Sequence, residues 1–199
     1  MAVTSGPSAR EAKRLQTRER LMGAAVAEFK RSGMADADVG AIVAAAGVAH
    51  GTFFFHFPTK EHVLLELESR EEDRIAKQFA QFLAKPRDLK AAFDESVRLV
   101  LGLERRLGDV LFKDFLALHF SQTRPAAEGG QDHSLIVLLA EFIEQARKRG
   151  EIDPEVNSMN SAVFFLLGLY ALAITTNDPA RRELIDDHVK RSLRSVAAP

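Results

Sequence analysis

One stretch constrains this chain more than any other: Asp38-Val-Gly-Ala-Ile-Val-Ala-Ala-Ala-Gly47-Val-Ala-His-Gly-Thr52-Phe-Phe-Phe-His56-Phe57-Pro-Thr-Lys60. It predicts two short helices joined by a tight turn at Gly47, the layout of a helix-turn-helix DNA reader. Asp38 can cap the first helix by accepting a bond from a free backbone N–H. Val39, Ile42, Val43 and Ala46 then share one face at helical spacing. Gly47 suits the left-handed conformation that ends a helix, and Val48 can plug the angle between the two helices. The second helix, roughly Ala49 to Phe57, mixes small, polar and aromatic residues. That mix suits a helix with one side in a core and the other free for a partner.

This segment resembles the helix-turn-helix of the TetR family of bacterial transcriptional regulators. Val39, Ile42, Ala46, Gly47, Val48, Gly51, Thr52, His56, Phe57, Thr59, Lys60, Glu61 and Leu64 match the family pattern. Asp38 stands where the family has Thr and keeps its capping chemistry. Val43 replaces a small Ala, Ala49 replaces Ser, and Phe53 and Phe54 replace Leu and Tyr. Ala49 and Phe54 each lack a hydroxyl that often holds DNA phosphate, which bears on affinity and operator choice. The resemblance implies an N-terminal three-helix helix-turn-helix DNA-binding domain (residues 1–62) followed by a C-terminal helical ligand-binding and dimerisation domain (63–199). The implied function is that of a ligand-responsive cytoplasmic repressor, binding a pseudo-palindromic operator as a homodimer.

Composition agrees with that outline and excludes several others. A chain of 199 residues, 46% hydrophobic and 28% charged, can bury a real core in one or two domains. With no cysteine, disulfides, thiolate metal sites and a cysteine nucleophile are ruled out, and a reducing cytoplasm fits. Met1 to Ser8 holds no apolar run that would serve as a secretory signal. The longest uncharged apolar stretch, Ala162 to Ile174, reads as too short to span a bilayer. There is no Gly-rich phosphate loop, Gly-x-Ser-x-Gly or His-Glu-x-x-His, and no Glu three residues before any of the six His. No catalytic residue, metal ligand or cofactor is therefore expected.

The net charge of −1 at first argues against DNA. Its distribution does not. Residues 1–35 hold seven Lys or Arg against three Glu, a net of +4, while the remainder nets −5. A basic front end on an acidic body is what a DNA-reading head on a separate sensing body needs.

Helical periodicity continues to the C-terminus, giving nine or ten helices and no sheet: an all-α fold. Ser8-Ala-Arg-Glu11 has capping-box spacing, and Leu21, Met22, Ala25, Val26 and Phe29 make the stripe of a first helix ended by Gly33. A fourth helix runs from near Thr59 to about Ala84, where Pro86 stops it. After a break at Gly108, Asp109 is set to cap a helix carrying Phe112, Phe115, Leu116 and His119. Pro125 to Gln131 reads as a loop, and Asp132 as the cap of the helix that follows. Asp153-Pro154 and Asp178-Pro179 each place a cap before a proline at the first helical position.

By the family resemblance, Ala49, His50, Thr52 and Phe55 would face base edges in the major groove. His56 and Lys60 would hold phosphate, and Phe54 would pack at a phosphate-contacting position. Lys60 sits at a helix start, where a cation is otherwise disfavoured. Phe53 and Phe57, four apart, read as head core, and Phe55 divides evenly between core and groove. An effector, small and hydrophobic or aromatic, would be lined by Phe79, Phe82, Phe93, Val97, Phe112, Phe115, His119, Phe164 and Tyr170, although aromatic stripes are more often core than pocket. The helix from Pro154 to about Thr176 is apolar nearly all round, so it must be enclosed. The resemblance makes Leu135, Leu138, Leu139, Phe142, Val163, Leu167, Tyr170 and Ile174 a dimer interface. The alternative reading is a TetR-like small-molecule-binding or interaction protein with weakened DNA binding.

Overall fold

The computed structural model describes residues 8–121, 134–176 and 179–198. Those residues are helices and short connections, with no strand among them: α1 (Ala9–Asp36), α2 (Val39–Ala46), α3 (His50–His56), α4 (Lys60–Leu83), α5 (Leu89–Leu107), α6 (Asp109–His119), α7 (Ser134–Lys148), α8 (Ser158–Thr175) and α9 (Ala180–Val196). They group into two compact units, Met1–Leu67 with Leu107–Pro125, and Glu68–Arg106 with Ala126–Pro199. Helix α4 contributes to both.

In the first unit, Ser8 Oγ accepts from the Glu11 N–H at 3.3 Å to start α1. Gly33 interrupts the helical path at φ 80° and ψ 162°, and one further turn carries it to Asp36. Asp38 caps α2 through both carboxylate oxygens, which accept from the N–H groups of Gly40 at 2.8 Å and Ala41 at 3.3 Å. Gly47 ends α2 in the left-handed conformation, φ 63° and ψ 44°, where a side chain would be strained. The α2–α3 pair is bent by 95° there. Leu21, Ala25, Phe29, Ile42, Phe53, Phe57, Val63 and Leu64 form the core of this unit, essentially without exposure. Helix α6 joins it by burying Leu111, Phe112, Phe115 and Leu116, and by packing against α1.

The second unit centres on α8, which packs against α7 and α9. The Phe93 and Phe165 rings lie 4.4 Å apart, and His188 stacks on Phe165 at 5.2 Å. Close approach at Gly168 makes that stack possible, since a Cβ there would sit 2.4 Å from His188 Cε1. Arg181 binds both oxygens of Glu104 at 2.8 Å and the carbonyls of Thr176 and Ala173 at 3.0 Å. One guanidinium thus ties α5 and the C-terminal end of α8 to the start of α9.

Three local expectations change. Helix α8 starts at Ser158 rather than Pro154, because Asp153 spends its carboxylate on the Glu155 N–H two residues on, a local turn. Asn157 is the cap instead, with Oδ1 accepting from the Asn160 N–H at 2.9 Å. Helix α6 has no side-chain cap: Gly108, at φ 76°, occupies that position, and Asp109 falls in the first turn, where its charge favours the helix N-terminus. Helix α8 is also longer than its uncharged apolar stretch. Its 18 residues, with mean hydropathy 1.6, are long and apolar enough to cross a membrane by length and composition. Ala162, Phe165, Leu166, Leu169 and Ala173 are instead buried within the unit. The expected loop Pro125 to Gln131 and the expected caps Asp132 and Asp178 lie outside the described residues.

Candidate nucleic-acid interface

Helix α3 is two-sided. Phe53 is wholly buried and Phe57, just past its end, is as well, which fixes the helix by its inner face. The outer face carries Ala49, His50 and Gly51 at the start, all exposed, and then Phe54 and Phe55. Phe55 is 75% exposed and Phe54 48%. The His50 and Phe54 rings lie 5.6 Å apart, and the Phe55 ring stands edge-on to His56 at 5.2 Å. Thr52 is half-buried between the two sides. Leaving two phenylalanines this exposed beside a histidine forgoes part of the about 1.5–3 kcal/mol that full burial of each ring would contribute, and such patches mark partner surfaces.

Three cations hold this helix-turn-helix from within, each on the carbonyl end of a helix. Arg20 Nη2 donates to the Ala46 and Gly47 carbonyls at the end of α2. Arg18 Nη1 donates to the His56 carbonyl at the end of α3, while its Nε and Nη2 pair with Glu66 of α4. Its guanidinium also lies 4.1 Å over the Phe57 ring. Lys60 Nζ donates to the Ala35 carbonyl at 2.7 Å and the Ala37 carbonyl at 3.2 Å, at the end of α1. Cations there answer the negative end of the helix dipole and the unpaired carbonyls together. The position of Lys60 at a helix start therefore has an internal reason besides an anionic partner, and one of its three N–H donors remains.

His56 points inward and is 7% exposed. Burial, with the charges of Arg18 and Arg14 behind it, holds its imidazole below the ordinary value. On the other side of the head, Glu28 bonds Arg31 and reaches the Asp38 N–H. Arg31 first, then the Asp38 N–H, lower its carboxyl pKa against an opposing effect of burial.

Comparison with known proteins agrees with this geometry. Residues 21–67, which run from the α1 core through α2 and α3 into α4, match the family model of bacterial regulatory proteins, tetR family. The HTH-type transcriptional regulator YdgC of Bacillus subtilis is 28% identical over 165 residues, covering 80% of each chain. A TetR-family transcriptional regulator from Mesorhizobium loti superposes with a TM-score of 0.66 at 20% identity, over 94% of this chain and 99% of that one.

Residues 21–67 carry the helix-turn-helix of the tetR family of bacterial regulatory proteins.

The curated relatives this chain resembles are HTH-type transcriptional regulators, and the structural likeness extends over an N-terminal helix-turn-helix and a helical body. A further structural relative is the Thermus thermophilus repressor FadR in complex with lauroyl-CoA, with a TM-score of 0.63 and 24% identity over 89% of this chain and 91% of that one.

The remaining residues singled out from the TetR-like sequence fall in both units. Phe112, Phe115 and His119 are in the first, and Phe79, Phe82, Phe93, Val97, Phe164 and Tyr170 in the second. Phe79, Phe93, Phe112 and Phe115 are buried, Phe82, Val97 and His119 are half-buried, and Phe164 is 70% exposed. Phe93 and Phe164 line a cleft of about 600 Å³ whose other walls include Asn160, Phe165, His188 and Arg191. Burial, followed by the charges of Glu72 and Glu68, pushes the Tyr170 phenol well above its ordinary pKa. Glu68 is itself 1% exposed. It escaped the sequence reading, although its spacing of four from Leu64 puts it on the buried stripe of α4.

Among the nominated interface residues, Leu135, Leu139 and Phe142 turn inward and are covered within their own unit. Leu138, Val163 and Tyr170 are half-buried, whereas Leu167 and Ile174 are exposed. Phe164, Leu167, Ala171 and Ile174 make one uncovered stripe along α8, and Val137 of α7 is exposed as well.

Proposed function

We propose that this regulator binds a pseudo-palindromic operator as a homodimer, reading bases with the outer face of α3 and releasing DNA when a small apolar or aromatic effector occupies its second unit. The observation that carries this reading is the exposed set His50, Phe54 and Phe55 on a helix braced by Arg18, Arg20 and Lys60. An unsupported patch of that kind has no reason to be rigid, and a groove reader must be. Phe55 meets thymine methyls, His50 a purine acceptor, and Thr52 either base or phosphate. Backbone N–H groups and Lys60 hold the phosphates that set register.

A single seven-residue helix touches few bases, so useful discrimination needs two heads on one duplex. The uncovered α8 stripe suits a self-complementary seam in which each copy covers the other. The effector reading draws on the half-buried Phe82, Val97 and Tyr170, with Glu68 as a polar anchor, and on relatives such as the FadR–lauroyl-CoA complex. For the effector to lower operator affinity 5–150-fold, a coupling of about 1–3 kcal/mol suffices.

The test is a fluorescence-anisotropy titration of wild type and Phe55→Ala against duplexes from the chain's own upstream region. Salt-sensitive binding whose sequence preference Phe55→Ala relaxes supports the proposal. Indifference to every duplex at low salt refutes it and favours an interaction protein of the same fold.

A further inference from the structure

Helix α1 extends well beyond the core that anchors it. Its first buried residue is Leu21, so Ala9 to Arg20 form about three turns with no buried side chain. A helix polar on all sides either bridges solvent or waits for a partner. The charges of this arm are also misplaced for stability alone. Arg10, Lys13 and Arg14 stand in the first turns, where the helix dipole disfavours cations, with only Glu11 in favour.

Those three cations are uncommitted. Among the described residues, none of their side chains takes part in an ion pair or hydrogen bond, whereas Arg18, Arg20 and Lys60 spend theirs inside the head. They are also aimed. Arg10, Arg14 and Arg18 recur every four residues, so they share a face of α1 about 12 Å long. Arg18, at its inner end, is bonded to the His56 carbonyl that ends α3 and to Glu66. Lys13 and Thr17 flank the same stripe. The field of Arg14 reaches α3 as well, because it contributes to lowering the His56 pKa after burial and Arg18.

We propose that the first three turns of α1 are a second DNA-contact element, with Arg10, Lys13 and Arg14 gripping the sugar–phosphate backbone that flanks the segment read by α3. The partner is duplex DNA rather than another polyanion because Arg18 fixes this stripe beside the reading helix. The proposal rests on the operator reading above and extends it: the arm lengthens the contacted site and adds affinity without adding base discrimination.

The experiment compares wild type, the triple variant Arg10→Gln/Lys13→Gln/Arg14→Gln and the off-stripe control Leu15→Gln in salt-series titrations, with phosphate-ethylation interference on the same duplex. Each lost phosphate contact removes about 0.9 from the slope of log K against log salt. The triple variant should therefore lose about 2–3 units of slope per protomer, weaken on every sequence alike, and no longer show interference at the flanking phosphates. Leu15→Gln should match wild type. A triple variant with wild-type slope and interference overturns the arm while leaving the operator reading intact. A wild-type chain that binds no duplex overturns both.

Discussion

The Met34 backbone N–H donates a 2.6 Å hydrogen bond to Asp114 Oδ2, joining residues 80 positions apart in sequence. Asp114 belongs to α6, and Met34 follows the Gly33 break in α1, where a Cβ would lie 3.4 Å from the same carboxylate oxygen and from Val110 Cγ1. A glycine at φ 80° exposes the next N–H, and one carboxylate of α6 collects it. A segment far along the chain is thereby docked on the helix that carries Arg18 and Arg20.

Asp114→Ala leaves that N–H unsatisfied and removes a charge-assisted bond, a loss of about 1–3 kcal/mol. The melting temperature should drop by several degrees, with Asp114→Asn intermediate. A variant with unchanged melting would show that this bond contributes nothing to the stability of the first unit.

Gly168 has a different reason to be glycine. Its helix is regular, and only the His188 ring, 2.4 Å from a would-be Cβ, forbids a side chain. Gly168→Ala should cost about 1–3 kcal/mol as an overpacked contact, read as a lower denaturation midpoint. Adding His188→Ala should recover part of the loss, although it also removes the 2.8 Å contact of His188 Nε2 with the Phe165 carbonyl. Simple additivity of the two losses would argue against the steric explanation.

Stability should fall on acidification in two stages. His56 has a folded pKa below its ordinary 6.5, so the unfolded chain binds that proton more readily. Its contribution is complete above pH 6.5 and is lost as pH falls below it. Glu144 is held at about 2, by Arg147 first and then by the Ser158 hydroxyl against the opposing effect of burial. Its contribution is complete above 4.5 and is lost between 4.5 and about 2. Melting curves from pH 8 to 3 should be flat above 6.5 and bend downward twice. His56→Gln should erase the first bend alone.

Lys60→Ala removes a cation from the α1 carbonyl end, worth about 0.3–1 kcal/mol in stability. If its remaining N–H also meets a phosphate, the salt slope of operator binding should flatten by about one unit for all sequences. A stability loss with no change of slope would restrict Lys60 to the internal role.

What the sequence made legible was local. The Asp38 cap, the left-handed Gly47 and the buried Phe53 and Phe57 follow from residue types at fixed spacing, and the structure has all of them. The clamps were not legible, because Arg18, Arg20, Lys60 and Asp114 each meet a backbone group 23 to 80 positions away and nothing in the neighbouring residues encodes that distance. The start of α8 was misread because Asp153 and Asn157 are both good caps, and only the turn at Glu155 decides between them. The 70% exposure of Phe164 was not legible for a related reason: on a helix apolar all round, periodicity does not tell the covered face from the open one.

The account stands most directly on stoichiometry. Sedimentation equilibrium of the full chain with a pseudo-palindromic duplex from its upstream region should give two protomers per duplex, and Leu167→Glu, on the uncovered α8 stripe, should yield a free protomer with weak, single-site binding. A wild-type chain that remains a single protomer and binds duplex one to one, or not at all, would contradict it.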